Sequence, residues 1–500
     1  MTNRTNRLLK NSLFSSSSFF IIVLIAFVTT PYIVVKLGIT SYGIYILLTS
    51  LVGYYNLLDL GFNQGVTKYV AEFREKNELE SVSRSINASL LVQLSLGLTA
   101  SALLAVFATP ILLMLKVDAS HIVEARIGIY ACSIGFFFTM ISGTFNAVLA
   151  GLQRYDLIGK VDSLINLLLN LIVVLLLFKG FGLTEIVSAT VFSSIISASV
   201  YVVLVRKMVP EWKVVLRFDK DYFKLIFGFS SFMFISKISS VFSNYVVRFI
   251  VSYFLGPAAV SLYVIPSKLL GAFGGILSSA AGVVFPYISQ LSVSDNDKVK
   301  DVYYKASKVF TAISTPVFLF IMVFSYQILF LWMGKDIAEQ SYLVLSIITL
   351  SGLIASQTTV PNLIICGLGY TRLIGFFGIL AVVCYSVFLP VLTKEFGIIG
   401  ASVGMLITTV INVFFVFKLT TKKIGIPYLA FLNATFGFHI LPCMISLIAL
   451  YVIVANKLES NMTIPGIGCL IVAFYYWVMI KKDILPVAFI LKRKATENTI

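Results

Sequence analysis

The sequence predicts an all-α integral membrane protein with about fourteen transmembrane helices. Composition, the length of the apolar segments and an internal repeat carry this prediction. Of the 500 residues, 59% are hydrophobic and only 12% are charged, whereas about 25% of the residues in a soluble domain are charged. Apolar runs of about 20 residues, which can cross the hydrocarbon core as a helix, recur along the whole chain.

The predicted transmembrane segments, numbered spans 1 to 14, follow one another closely. They cover residues 13–35, 41–62, 88–115, 124–149, 161–178, 183–205, 226–251, 257–285, 307–332, 341–365, 373–393, 397–417, 429–455 and 464–480. The joins at 36–40, 252–256 and 394–396 are very short. Each pair of spans that flanks one of these joins is therefore expected to form a tight antiparallel hairpin.

Lysine and arginine are concentrated on one side of this topology. The amino-terminal end, the loops after even-numbered spans and the carboxy-terminal tail carry most of them. Since cytoplasmic loops are enriched in these residues, both termini are predicted to be cytoplasmic. The net charge of +16 is then explained mainly by topology and by contact with anionic lipid headgroups, and no nucleic-acid partner is expected.

An internal repeat relates the first six spans to the next six. Corresponding positions are separated by 215 to 218 residues: Leu37-Gly38 with Leu255-Gly256, Asn146 with Asn362, and Phe181-Gly182 with Phe396-Gly397. Because six is even, both copies start on the same side of the membrane, and a pseudo-two-fold axis along the membrane normal should relate them. The predicted domains are two six-helix bundles, 1–219 and 220–425, followed by two extra helices and a basic tail in 426–500.

The segment "LGITSYGIYILLTSLVGYYNLLDLGFNQGVTKYVAEF", residues 37–73, carries a family resemblance together with this duplication. It resembles the polysaccharide flippases of the multidrug/oligosaccharidyl-lipid/polysaccharide exporter superfamily. The resemblance implies a MATE-like fold of two bundles that alternate their opening in the bacterial inner membrane. The implied cargo is an oligosaccharide on a polyprenyl diphosphate, as for O-antigen, with membrane lipids, a polysaccharide polymerase and glycosyltransferases as further partners.

Four ionisable residues lie well inside the predicted spans, away from their ends: Asp59, Lys237, Arg248 and Lys268. Each costs roughly 2.5–3.5 kcal/mol at the bilayer centre, so such residues usually face protein or water. In a regular α-helix, eleven residues return to nearly the same face. Lys237 and Arg248 are therefore predicted to share one stripe of span 7, together with Asn244.

These cations predict a binding site for an anionic headgroup. Lys268 in span 8 is expected at the depth of Lys237, beside a bend at Pro266. We therefore predict that Lys237 and Lys268, with Asn244, bind the diphosphate and that Arg248 contacts it on the exit side. The alternatives are a structural role for both lysines and snorkelling of Arg248 to the interface.

Asp59 is the carboxylate that the prediction places within a span. It either caps the turn before the cytoplasmic loop or couples transport to a proton or cation. A cation-coupled drug exporter of the same fold is one rival function, and a non-transporting scaffold of the polysaccharide machinery is another. A drug exporter that selects cations should carry more carboxylates in its spans, which favours the flippase.

Enzymatic function is not expected. The two histidines, His121 and His439, do not form a cluster, and the five cysteines are scattered without the spacing of metal ligands. No GxxxxGK[ST] motif is present to bind ATP. We therefore predict no catalytic residues, no metal site and no cofactor.

Overall fold

The computed structural model describes residues 24–54, 58–59, 61–215, 219–281 and 296–437, and four single positions, 448, 472, 475 and 476. All regular structure within these residues is helical. Eight of the described helices are long and apolar enough to cross a membrane. The prediction of an all-α membrane protein is confirmed.

The chain forms two compact units, Met1–Val264 and Ile265–Ile500. This division follows from packing, whereas the predicted domain boundary at 219/220 follows from the sequence repeat and stays a prediction. In the first unit the helices are α1 Leu24–Leu37, α2 Ile39–Gly53, α3 Phe62–Glu75, α4 Leu79–Val106, α5 Ala108–Met114, α6 Ile122–Gly151, α7 Tyr155–Phe178, α8 Leu183–Met208, α9 Lys220–Val241, α10 Val247–Leu255 and the start of α11 Pro257–Ala281.

The second unit continues from within α11. Its helices are α12 Asn296–Val323, α13 Ser325–Met333, α14 Lys335–Ser356, α15 Thr359–Gly367, α16 Thr371–Ile424 and α17 428–437. Spans 13 and 14 lie mostly outside the described residues. The described parts of spans 1 to 12 are mostly helical. Spans 3, 9 and 10 each consist of two consecutive helices, span 7 consists of two α-helices separated by a π-helical turn, and spans 11 and 12 together form α16.

Helix α16 contains two spans joined at Gly397. The backbone there is non-helical, with φ 63° and ψ −144°. A Cβ atom built on Gly404 would lie 3.3 Å from the Cα of Leu389, so the two halves of α16 run back along each other. This is the antiparallel hairpin that the short join at 394–396 predicts.

The two Leu-Gly pairs of the repeat adopt the same backbone conformation. Gly38 joins α1 to α2 with φ 80° and ψ 160°, and Gly256 joins α10 to α11 with φ 84° and ψ 174°. This region of backbone space is essentially restricted to glycine. Glycine therefore follows leucine at both positions because each hairpin needs the same sharp turn.

A π-helical turn, Phe242–Val246, separates α9 from α10. Hydrogen bonds from i to i+5 add a residue to the turn, and one residue corresponds to about 100° of rotation in an α-helix. Eleven positions across this turn therefore do not return to the same face. The uninterrupted α-helix from which a shared stripe of Lys237 and Arg248 was predicted is therefore not present.

An aromatic and aliphatic core packs helices α3, α4, α6, α8 and α9 at the end of the unit opposite Gly38. Phe62, Phe145 and Tyr201 are among its buried members. The segment between α8 and α9 is tied to this core because the Trp212 indole N–H donates to Asn87 Oδ1 at 2.9 Å. The core thus fixes the start of α9 relative to the preceding helices.

Candidate functional site

The predicted site residues lie on three elements. Lys237 belongs to α9 and Asn244 to the π-helical turn, but the side chains of both lie outside the described part of the structure. Lys268 lies on α11, two residues after Pro266, and its side chain is exposed. It belongs to the second unit, so a joint site of Lys237 and Lys268 stays a prediction.

Arg248 has defined contacts inside the first unit. Its Nη1 donates to Ser50 Oγ at 2.8 Å, and the guanidinium lies 5.3 Å from the centroid of the Tyr245 ring. The side chain is half-buried, and the Tyr42 and Tyr263 phenols are close enough to interact with it electrostatically. Arg248 thus connects α10 to α2, which periodicity alone could not reveal.

Aromatic rings extend this contact toward the end of α2. The Tyr54 ring lies 6.0 Å from the Tyr245 ring and 5.3 Å from the Phe249 ring. A Cβ atom on Gly53 would lie 2.4 Å from the Tyr245 ring. A side chain at position 53 would therefore displace the Tyr245 ring from its present place against α2.

The Gly38 end of α2 packs against the start of α11. A Cβ atom on Gly43 would lie only 1.9 Å from the Pro257 carbonyl oxygen, and Ser261 Oγ donates to the Ile39 carbonyl at 2.6 Å. Under the repeat offset of 218, Ile39 corresponds to Pro257 and Gly43 to Ser261. The two contacts are therefore exchanged by the repeat, as a local two-fold relation requires.

The connection between α5 and α6 closes the same end. Ser252 Oγ donates to the Leu115 carbonyl at 2.7 Å, and Lys116 Nζ donates to the Phe254 carbonyl at 2.8 Å. We call the contact region of α2 with α10 and α11, from Gly38 to Tyr54, the seam. It follows α2 for about 24 Å, at 1.5 Å per residue.

Asp59 lies beyond the other end of α2 and is almost completely buried, with 1% exposure. Its Oδ1 accepts from the Gly61 backbone N–H, and its Oδ2 accepts from Asn63 Nδ2 at 3.0 Å. The carboxylate therefore stabilises the turn that leads into α3, as the capping alternative expects.

Asp59 also lines a polar cavity of about 340 Å³ within the first unit. Carboxylates, amides and hydroxyls from α3, α6, α7 and α8 surround it: Asn63, Thr67, Thr139, Ser142, Asn146, Asp162, Ser197 and Tyr201. The Tyr201 hydroxyl donates to Asp162 Oδ1 at 2.6 Å, and Asn146 Nδ2 donates to the Tyr201 oxygen at 3.2 Å. The lining described for this cavity contains two carboxylates and no lysine or arginine.

Asp162 was missed from the sequence. The predicted span 5 begins at residue 161 and leaves this carboxylate at the membrane boundary, but α7 begins at Tyr155, about two turns earlier. A signal was present: Asp162, Asn166 and Asn170 are spaced by four residues and so lie on one helix face. A second carboxylate, Asp162, therefore lies within a long apolar helix and lines the cavity together with Asp59.

An apolar groove of about 470 Å³ lies beside the last turn of α2. It is bounded by the last turns of α2, by α4 and α5, and by α6. The break between α4 and α5 at Phe107 opens one wall. The lining is almost entirely apolar: Leu51, Tyr54, Leu58, Ala100, Leu103, Leu104, Phe107, Pro110, Ile111, Met114 and Phe136.

A third, open pocket of about 720 Å³ lies between the start of α4 and the segment before α9. Arg84 Nη2 forms an ion pair with Asp219 Oδ2 at 2.7 Å across it. Burial acts to raise the pKa of Asp219, but hydrogen bonds from Arg84 and the Tyr222 backbone N–H outweigh it, and the pKa is lowered. The pocket thus contains paired charges that fix the connection into α9.

Sequence comparison matches residues 8–292 to a family described as "Polysaccharide biosynthesis protein". A "Putative O-antigen transporter" from Shigella flexneri is 23% identical over 419 residues, which cover 84% of this chain and 99% of that protein.

Two solved structures have a similar fold. One is the "Lipid II flippase MurJ, inward closed conformation", with a TM-score of 0.68, 14% identity, and coverage of 97% of this chain and 100% of that one. The other is an inward-facing multidrug resistance MATE family transporter, with a TM-score of 0.67, 16% identity, and coverage of 83% and 94%. Since one is a flippase and the other a drug transporter, the fold alone does not assign the cargo.

Proposed function

Because the chain belongs to the polysaccharide biosynthesis protein family, we propose that it is a flippase for a lipid-linked oligosaccharide. It moves an oligosaccharide on a polyprenyl diphosphate from the cytoplasmic to the outer leaflet of the inner membrane by alternating access. The family match over more than half of the chain carries this proposal, and the O-antigen transporter, whose whole length the chain covers, supports it. A transport role of this kind involves no catalytic residues.

The cargo is anionic at its diphosphate, so a cation inside the spans has a direct use. Arg248 is half-buried and contacts both α2 and the Tyr245 ring, which supports its role as a phosphate contact. Guanidinium groups suit this role because their planar N–H donors match phosphate oxygens. Lys237, Lys268 and Asn244 complete the proposed headgroup site.

The polar cavity is the proposed site of ion coupling. Its carboxylates Asp59 and Asp162 lie among neutral hydroxyls and amides. A carboxylate in such surroundings can bind a proton or a small cation. Asp59 already stabilises a turn through two hydrogen bonds, so Asp162 is the better candidate for repeated protonation. This cavity is also the observation that favours the rival cation-coupled drug exporter.

The charge distribution supports the proposed direction of transport. If both termini are cytoplasmic, the Gly38 end of α2 faces outward and the seam is closed on the outer side. Export then requires the seam to open, with the bundles 1–219 and 220–425 moving as units. Outward movement of a negative headgroup is also favoured by the membrane potential, by about 2.3 kcal/mol per elementary charge per 100 mV.

Reconstitution tests the function directly. The purified full chain is placed in proteoliposomes with a fluorescent polyprenyl-diphosphate oligosaccharide, and the outer-leaflet fraction is followed by a membrane-impermeant quencher. We expect faster redistribution than in protein-free liposomes. No acceleration, with full activity of the polysaccharide machinery in cells, would support the scaffold. Acceleration of a cationic dye but not of the lipid-linked sugar would support the drug exporter.

A further inference from the structure

We propose that the apolar groove between α2, α4, α5 and α6 binds the first part of the cargo's polyprenyl chain, while Arg248 contacts the diphosphate. This inference rests on the proposed function but adds a location for the hydrocarbon. The groove has a volume of about 470 Å³, within the range of about 300–1,000 Å³ for small-molecule sites. It can therefore hold a section of a long chain whose remainder stays in the bilayer.

The groove and the cation are connected through two aromatic residues. Tyr54 lines the groove, and its ring lies 6.0 Å from that of Tyr245, which in turn lies 5.3 Å from the Arg248 guanidinium. In a polyprenyl diphosphate, the charged group is bonded through oxygen to the first isoprene carbon. Its binding site therefore needs an apolar surface near a phosphate contact, and here only the Tyr54 and Tyr245 rings lie between the two.

The depth of Arg248 favours the polyprenyl diphosphate over an ordinary phospholipid. Arg248 is eight residues before Gly256, where α10 turns into α11, which places it about 12 Å along the helix from that turn. A phospholipid of the bilayer keeps its phosphate at the interface, whereas the cargo headgroup must pass below it. A half-buried guanidinium inside a span is energetically costly without an anionic partner. The cargo headgroup would supply that partner.

The seam limits when this contact can form. One guanidinium N–H of Arg248 donates to Ser50, and a guanidinium has five such donors. A diphosphate beside Tyr54 could therefore use the others, and opening of the seam would release the donor held by Ser50. The polyprenyl chain remains in the groove on α2 during this exchange.

A matched pair of tryptophan substitutions tests the groove. Ala100 lines it, whereas Ala102 lies two residues further along α4, is exposed and is not part of the lining. The purified full chain is mixed with a long-chain polyprenyl phosphate, and the bound lipid is counted by native mass spectrometry. We expect A100W to weaken binding about tenfold, or about 1.4 kcal/mol, and A102W to leave it unchanged.

Two further probes separate the ligand classes. Phosphatidylglycerol carries one negative charge on two acyl chains, and polyprenol carries the chain without charge. We expect phosphatidylglycerol binding to be insensitive to A100W, and Arg248→Gln to weaken polyprenyl phosphate binding but not polyprenol binding. If A100W displaces phosphatidylglycerol as strongly as polyprenyl phosphate, the groove holds membrane lipid and the proposal is wrong.

Folding and function are checked independently. Thermal unfolding of each purified variant establishes its integrity, and Ala100→Phe replaces A100W if tryptophan prevents folding. If the Ala100 and Ala102 variants bind polyprenyl phosphate equally well, the groove is not the binding site of the polyprenyl chain, even if flipping is normal. Groove-dependent binding without any flipping of the labelled oligosaccharide would instead contradict the proposed function and leave the groove standing.

Discussion

The seam runs along α2 and the polar cavity lies beyond the Gly53 end of that helix, and the two regions differ in charge and in origin. The seam contains a guanidinium, aromatic rings and close-packed glycines, and it joins spans of both repeat copies. The cavity contains two carboxylates among neutral polar groups, and helices of the first copy alone surround it. A movement of one copy against the other must therefore break the seam, whereas the cavity can persist.

This difference suggests how the protein keeps opposite charges apart. In the proposed function, Arg248 contacts the anionic headgroup and Asp162 binds a proton or cation, so the opposite charges have separate sites. If the two sites had the same role, substitutions in either should change the flipping rate and its response to an ion gradient in the same way. The following experiments test whether the seam controls movement and the cavity controls ion coupling.

The largest effect is expected from a cross-link across the seam. Ser261 Oγ and the Ile39 carbonyl oxygen are 2.6 Å apart, so Ile39→Cys and Ser261→Cys place cysteines on directly contacting turns of α2 and α11. With the five native cysteines replaced, oxidation should abolish flipping, because the seam can no longer open, and reduction should restore it. Undiminished flipping by a fully cross-linked protein would contradict rigid-body alternation.

A large effect is also expected from Gly43→Leu. The new Cβ would lie 1.9 Å from the Pro257 oxygen, and overpacking of this kind costs about 1–3 kcal/mol. The closed seam should be destabilised, with reduced flipping and a lower yield of the 39–261 cross-link. Gly228→Leu on α9 is the control, since no atom lies within 4 Å of its added Cβ. Equal cross-linking yields in both variants would show that the close approach is not required.

Substitutions at Arg248 and at its partner Ser50 should slow flipping to different degrees. Arg248→Ala removes the phosphate contact and the Ser50 partner and should slow flipping by about tenfold, which corresponds to about 1.4 kcal/mol. Ser50→Ala removes one hydrogen bond, worth about 0.5–1.5 kcal/mol, but keeps the cation. We therefore expect Ser50→Ala to flip faster than Arg248→Ala at equal membrane abundance. The reverse order would assign Arg248 a packing role.

The smallest effect on basal flipping is expected in the cavity. Asp162→Asn should retain flipping without an ion gradient and lose the acceleration that a proton or sodium gradient produces. Asp59→Ala should instead lower membrane abundance, because it removes the acceptor of both hydrogen bonds to the turn before α3, and loss of such a cap costs about 0.5–2 kcal/mol. Gradient-dependent rates and immunoblots of membranes separate these outcomes. An unchanged gradient response in Asp162→Asn would exclude this carboxylate from coupling.

The sequence predicted the helices and their hairpins well for a physical reason. Apolar length sets a span, and a glycine such as Gly38 or Gly256 marks a backbone conformation that other residues rarely adopt. The chemistry inside the spans was harder to predict. An error of six residues at the start of α7 concealed Asp162, and the π-helical turn changed the phase between Lys237 and Arg248. The contact between Arg248 and Ser50 joins positions 198 residues apart, and no local pattern encodes it.

The reciprocal contact at the Gly38 end has a consequence for how such a chain could evolve. Exchange by the repeat offset is the property of an isologous interface in a homodimer, so an ancestor with one copy would place the same residue at both equivalent positions. A serine at both would drive its Cβ into the carbonyl of residue 257, and a glycine at both would lose the hydrogen bond made by Ser261. With two copies in one chain, Gly43 can provide the space and Ser261 the hydrogen bond, a difference that identical subunits cannot have.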